Sequence, residues 1–507
     1  MVERRRRRRG EGTVTAAERV VNYRSLRNPF PQMKVVSEDE VVHLHDAALG
    51  ILEDKGIKVL LPEAREIYRK AGAQVDEDMV YIGRDLVAQA LKTAPSSILC
   101  RAGARNRDVL LEPGSLVFQP GAGAPHATDR LRGRRPGTGK DFQELIQLTH
   151  HFDALHMLPP LVEPQDIAPH VRHYYTLDTM LTRSDKLPFV FSRGTPQVMD
   201  SFEMLRDFRG LSDDAFHAES HCYTIINTNS PRVLDMPMAQ GVIDFARAGQ
   251  TAIITPFTLM GAMAPITVAG AITLSHAEAL AAITLSQLTR PGAPVLYGTF
   301  TSNVDMKSGA PAFGTPEHFK ASLLAGQLAA HIGLPWRCAS GSAANINDAQ
   351  AAHETQFAMW GCLMAGATVI IHAAGWLEGG LTVSYEKFIT DMEAVQMVAE
   401  MCRPVETGGD ALALGALDEV GPSGHFFGCA HTMARYQTEF YEPLVGDWSN
   451  FGTWSERGEK DASTRATELW QRILDEDARP ELDGDRVEAL RAFIDRRTAE
   501  GGAPPES

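Results

Sequence analysis

Between residues 116 and 402 the chain alternates eight times between a short β-branched or apolar run and a longer run with helical spacing. The strand-like runs fall at 116–119, 155–161, 188–193, 221–227, 252–256, 294–299, 335–340 and 368–372. The helical runs fall at 141–151, 171–182, 197–208, 235–248, 268–288, 316–331, 348–365 and 387–402. Strands separated by helices pair in parallel. Eight such units in order predict an α/β fold closed as a (β/α)8 TIM barrel over residues 113–403. A doubly wound open sheet is the alternative; its dinucleotide-binding form is weakened because no GxGxxG follows a strand.

The flanks read differently. Residues 1–34, opening with the arginine run 4–9, are expected to be a disordered basic tail, since little there is apolar. Residues 35–112 predict a small α/β cap that begins with the capping-box pattern Ser37-Glu38-Asp39-Glu40. Residues 404–507 predict a loop-rich and then helical extension. The net charge of -15 argues against general nucleic-acid binding. The apolar stretch 252–283 is broken by Pro256 and Pro265, so it reads as buried barrel rather than membrane span. Six widely spaced cysteines with no CxxC suit a reducing, cytoplasmic compartment.

Several chemistries find little support. Cys338 and His372 sit at strand ends, and His221-Cys222 and Cys429 with His431 are close in sequence, yet no spacing forms a zinc signature. No bound metal is expected. No GxSxG elbow marks a nucleophile. Gly121-Ala122-Gly123-Ala124 lacks the lysine of a phosphate loop and reads as a tight turn after the first strand.

A cation site is better supported. Tyr297, Phe300, Trp336, Trp376 and Phe427 stand at or beyond strand ends or in turn-rich loops, where barrel enzymes keep their reactive groups. Asp305, Glu317, Glu378 and Glu386 accompany them in sequence. Aromatic faces attract a quaternary ammonium. Trp336 follows Gly333-Leu334-Pro335 and so stands where its strand begins; Trp376 and Phe427, with Tyr297, are the stronger candidates.

The chain also resembles the trimethylamine:corrinoid methyltransferase (MttB) superfamily. The resemblance rests on Ala264-Pro265-Ile266-Thr267-Val268-Ala269-Gly270, His276-Ala277-Glu278, Pro291-Gly292-Ala293-Pro294, Asp348-Ala349-Gln350, Ser384-Tyr385-Glu386-Lys387-Phe388 and Gly424-His425-Phe426, in order. It spans residues 35–482. It implies a TIM barrel and methyl transfer from an N-methyl compound to the Co(I) of a corrinoid (cobalamin) carried by a partner protein, with a homo-oligomeric enzyme expected. The trimethylamine enzymes carry pyrrolysine in the barrel; this chain has only standard residues, and residues 341–347 depart from the family pattern. The resemblance to pyrrolysine-free members therefore implies a quaternary amine such as glycine betaine. A quaternary nitrogen leaves as a neutral tertiary amine, so the step needs no general acid. The protein must orient the methyl group and exclude water. A betaine carboxylate calls for a cationic or N–H partner, for which Arg193, His221, His372 and His425 are candidates. Another donor or acceptor (trimethylamine, a sulfonium, a folate) or a non-catalytic betaine-binding barrel are the alternatives.

Overall fold

A computed structural model describes Arg19 and residues 21–506. The eight alternating units are β1 (Ser115–Phe118), α1 (Gly139–His151), β2 (Met157–Leu158), α2 (Pro169–Arg183), β3 (Leu187–Pro188), α3 (Thr195–Arg209), β4 (Tyr223–Ile226), α4 (Met236–Ala248), β5 (Thr251–Ile254), α5 (Val268–Thr289), β6 (Val295–Gly298), α6 (Pro316–Ile332), β7 (Trp336–Ala339), α7 (Ala349–Met364), β8 (Val369–Ile371) and α8 (Tyr385–Met401). Each strand and helix read from the sequence is present. Side-chain caps start several helices: Thr138, Asp235, Thr315, Asp348 and Ser384 each accept from an amide of the first turn.

One parallel ladder runs β1, β8, β7, β6, β5, β4, with Leu26–Arg27 added antiparallel to β1. β2 and β3 form a separate parallel pair. That pair meets β4 through a bridge between Phe189 and Tyr223, and meets β1 through His156 N–H donating to Phe118 O at 2.9 Å. The ladder thus holds six of the eight expected parallel strands. Pro159, Pro160 and Pro188 in and beside the two-residue strands β2 and β3 have no amide hydrogen to offer a neighbour.

Two small sheets continue the loops after these strands. Phe257–Met260 follows β5 and Phe300–Val304 follows β6; they pair in parallel, with Pro311–Ala312 antiparallel beside the second. Trp376–Leu377, Thr382–Ser384, His126–Thr128 and Arg135–Pro136 make the other.

By compactness the chain divides into Tyr23–Cys402 with Leu444–Ser507, and Met1–Asn22 with Arg403–Pro443. In the smaller unit, short helices at Leu414–Glu419 and Ala430–Arg435 are tied by Ala430 N donating to the Glu419 carboxylate at 3.1 Å, and Arg435 pairs with Asp410 in the turn before them. Residues 35–112 belong to the larger unit. The Ser37–Glu40 capping box forms as read and starts the helix Glu38–Gly50. Tyr68 O–H donates to Ala281 O at 2.7 Å, and His45 Nδ1 lies 2.9 Å from His276 Nε2. Both contacts land on α5, which is 22 residues long and contains an 18-residue stretch of mean hydropathy 1.5, 78% of it buried. Helices Ala462–Glu476 and Gly484–Ala499 complete the larger unit.

The disordered tail requires correction. Residues 1–18 and 20 lie outside the described residues. From Tyr23 onward the segment is packed: Asn28 Nδ2 donates to Leu363 O at 2.9 Å, Gln32 Nε2 to Ala365 O at 2.8 Å and Met33 N to Met364 O at 2.7 Å. Tyr23 and Leu26 are buried, and Phe30 meets Trp360 edge-on. The segment satisfies carbonyls at the end of α7 that the helix itself leaves open.

Candidate active site

β6 and β8 each lead into a residue that joins one buried aromatic cluster. Phe300 starts the extension of β6, His372 directly follows β8, Trp376 comes just beyond it, and Phe313 follows Pro311–Ala312. His372 and Trp376 stack face to face, 3.9 Å between centroids and 4° between planes. Phe300 lies 5.6 Å from Trp376 and 5.4 Å from His372, and Phe313 lies 5.1 Å from Trp376. All four are under a tenth exposed. His372 adopts φ 56°, a conformation that costs a non-glycine residue energy and tends to mark functional positions.

Three glycines shape the cradle of Trp376. A Cβ on Gly121 would meet its Cδ1 at 3.2 Å, on Gly341 its Cε3 at 2.1 Å, and on Gly380 its Cζ2 at 2.4 Å. Gly341 and Gly380 also have φ of +116° and +103°. The loop 341–344 is held by Glu354, whose carboxylate accepts from Ser342 Oγ, Ala343 N and Ala344 N at 2.7, 2.9 and 3.2 Å. The loop before Trp376 is held by Asp391, which accepts from Gly375 N at 2.9 Å and pairs with buried Lys387. The Gly121 turn, read from sequence as a tight turn, is thus also a packing surface for the indole.

Against these rings lies Arg337, from the middle of β7. It is 2% exposed, its guanidinium carbon is 5.5 Å from the Phe300 centroid, and Nη1 donates to Thr299 O at 3.0 Å. Burial pushes its pKa down to about 9. Burial, then the charge of Arg337, hold His372 far below the usual histidine range, so its ring is neutral. Tyr223, whose hydroxyl lies 3.0 Å from Gln119 Oε1, is pushed well above the usual tyrosine range by burial. Arg337 Nε, Gln119 Nε2, Trp376 Nε1 and His372 Nδ1 are all buried without a hydrogen-bond partner. Buried polar atoms are nearly always paired, so four orphans in one region mark it for a ligand.

Of the residues proposed from sequence, Phe300, His372 and Trp376 come together. Several others do not. Tyr297 points outward: its hydroxyl lies 3.0 Å from His276 Nδ1 on α5, because alternation along β6 turns it to the helix side. Trp336 stands at the start of β7, its Nε1 donating to Thr299 Oγ1 at 3.3 Å, and it lines a groove with Asn28, Phe30 and Gln32. His221 precedes β4, hence the opposite end of the strands, and stacks on Phe216 at 5.6 Å. Glu386 is a structural acceptor at the start of α8, taking Thr467 Oγ1 at 2.8 Å and Trp470 Nε1 at 3.0 Å. Arg193 follows β3 in a separate recess with Glu163, Arg172 and His173. His425 and Phe427 belong to the smaller unit, 5.7 Å apart, with Phe427 83% exposed. Asp305 caps its own exposed turn, accepting from Ser308 N and Oγ, and Glu378 pairs with Arg134. Among the described residues no three His, Cys, Asp or Glu side chains gather as a metal site, and the six cysteines are free.

Sequence reasoning missed Arg337. The signal was present: a lone guanidinium inside the apolar run Trp336-Arg337-Cys338-Ala339.

A parallel α/β sheet with a buried, ring-lined cluster at its strand ends defines a class that comparison with known proteins makes specific. The family model described as "Trimethylamine methyltransferase (MTTB)" matches residues 3–502. The chain belongs to this family and is a methyltransferase. It is 32% identical over 475 residues to a glycine betaine methyltransferase of Desulfitobacterium hafniense (strain Y51), covering 93% of this chain and 99% of the relative. It is 30% identical over 471 residues to the trimethylamine methyltransferase MttB of D. hafniense (strain DSM 10664 / DCB-2), covering 92% and 94%. The crystal structure of the Methanosarcina barkeri monomethylamine methyltransferase (MtmB) shares the fold: TM-score 0.50 at 8% identity, over 89% of this chain and 90% of that one.

Proposed function

We propose that this protein takes a methyl group from a quaternary amine of the glycine betaine type and delivers it to the Co(I) of a corrinoid held by a separate protein. On this reading the pair β2–β3 closes the ladder into an eight-stranded barrel, and the cluster at its strand ends is the donor site. The observation that carries the reading is the buried wall of Phe300, Phe313, His372 and Trp376 with unpartnered polar atoms among it. The identity to the glycine betaine enzyme supports the choice of donor.

The corrinoid is the co-substrate and supplies the nucleophile. The chain's own task is positional. The C–N electron pair stays with nitrogen and a neutral tertiary amine leaves, so no proton moves. Neutral His372 accords with chemistry that asks for no general acid or base. Aromatic faces steady the ammonium, each contributing about 0.5–2 kcal/mol once dry, and exclusion of water protects the transfer. Binding the ground-state cation does not itself speed the step; alignment does.

The test is a panel of glycine betaine, choline, trimethylamine and a sulfonium analogue, each with free Co(I) cobalamin, followed by loss of the Co(I) absorbance. Glycine betaine should react and trimethylamine should not. Transfer from trimethylamine or the sulfonium alone would overturn the proposal.

A further inference from the structure

Arg337 is a fixed positive charge for which the described residues around it provide no negative one. Its side chain makes one hydrogen bond, to a backbone carbonyl, and Nε has no partner. The groups whose charges bear on it are Cys338, Cys362 and Tyr223; no aspartate or glutamate is among them. Buried Lys387 is handled differently: it has Asp391. Burying an unpaired guanidinium is costly, and a chain keeps one where something else brings the counter-charge.

The unpartnered atoms around it have a matching bias. Gln119 Nε2, Trp376 Nε1 and Arg337 Nε are all donors. They are linked through shared neighbours: Tyr223 joins Gln119 by hydrogen bond, Phe300 lies under the Arg337 guanidinium, and Trp376 packs on Phe300. A surplus of donors beside a lone guanidinium recognises an acceptor that carries charge. A carboxylate offers two oxygens to such a set.

We infer that Arg337 binds the carboxylate of the methyl donor, and so restricts the enzyme to zwitterions that carry a quaternary ammonium and a carboxylate in one small molecule. This rests on the methyl-transfer reading above. A zwitterion brings no net charge into the barrel: its anion meets Arg337 and its cation meets the rings. A plain cation such as choline would enter beside an uncompensated guanidinium and meet repulsion.

Binding measured without corrinoid tests this separately from the reaction. Calorimetric titrations of the full chain with glycine betaine and with choline should show a preference for glycine betaine of about a hundredfold. Arg337→Met should lose most of that preference, and Arg337→Lys should retain part of it. The ligand-free Arg337→Met protein should unfold at no lower urea concentration than the parent, because the charge removed had no partner; an arginine with a merely structural role would show a drop. Equal binding of choline and glycine betaine by the parent chain overturns the inference, as does glycine betaine binding within threefold of the parent by Arg337→Met. If Arg337→Met does not fold, the parent's selectivity and Arg337→Lys decide. Methyl transfer from choline and glycine betaine alike would sink the inference and leave the proposed reaction standing; transfer from no quaternary amine would sink the proposed reaction.

Discussion

Replacing Gly341 by alanine should disturb the site through one contact. The added Cβ would sit 2.1 Å from Trp376 Cε3 and 2.6 Å from Cζ3. Carbon pairs settle near 3.5–4.0 Å, so the indole or the loop must move on the order of 1.5 Å. The indole cannot retreat along its plane without meeting Gly380, whose own Cβ position lies 2.4 Å from Cζ2. A side chain at φ +116° adds backbone strain of about 1–2 kcal/mol, and overpacking adds about 1–3 kcal/mol. The sum is a loss of about 2–5 kcal/mol, read from urea denaturation curves. The packing part depends on the indole's six-membered ring. In a Trp376→Phe background the clashing atoms are gone, so Gly341→Ala should cost only the backbone part, about 1–2 kcal/mol. The double-mutant cycle separates the two. Equal costs in both backgrounds, or a total below about 1 kcal/mol, would refute the cradle.

Three further outcomes are expected. His156, His173 and His318 are each held at about 4 by burial, so the unfolded chain binds more protons than the folded one between pH 6.5 and 4. Stability should fall as pH drops through that window, by up to about 1.4 kcal/mol per pH unit for each histidine; unfolding midpoints that stay level from pH 7.5 to 5 would contradict it. Glu386→Ala should cost about 1–3 kcal/mol of stability by leaving buried Trp470 Nε1 unpaired, with KM for the donor unchanged; a tenfold rise in KM in a protein of normal stability would return Glu386 to the site. Truncation through residue 34 should lower the melting temperature relative to truncation through residue 18, since Asn28, Gln32 and Met33 bond to the end of α7; identical melting curves would show those bonds to be idle.

The alternating units were legible because apolar strands and helices differ in period and length, and because residues such as Asp235, Thr315 and Ser384 announce helix starts. The added sheets were not. Phe300–Val304 continues β6 after a single residue, Thr299, so the sequence reads as one strand running into a loop. Trp376–Leu377 and Thr382–Ser384 are too short to show any period. Site residues could be placed at strand ends but not on faces: Tyr297 and Phe300 are three residues apart and serve opposite sides of the wall. The order of residues 23–34 escaped because its hydrogen bonds join backbone and amide groups distant in sequence, which leave no periodic trace.

Helix α5 carries a consequence for how the chain is made. On length and apolarity it passes for a membrane span, yet its cover comes from the Tyr68 and His45 helices and their neighbours. Those helices, ending with Arg84–Thr93, precede Val268 in the chain. At about 5–20 residues per second, a ribosome finishes them roughly ten to thirty-five seconds before α5 begins to appear. The hazardous segment therefore emerges into the presence of its own shelter. A circular permutant that moved residues 35–112 behind α8 could keep every contact of the finished fold, and would still release the cap-facing side of α5 to chaperones, membranes and other nascent chains before that part of its cover existed.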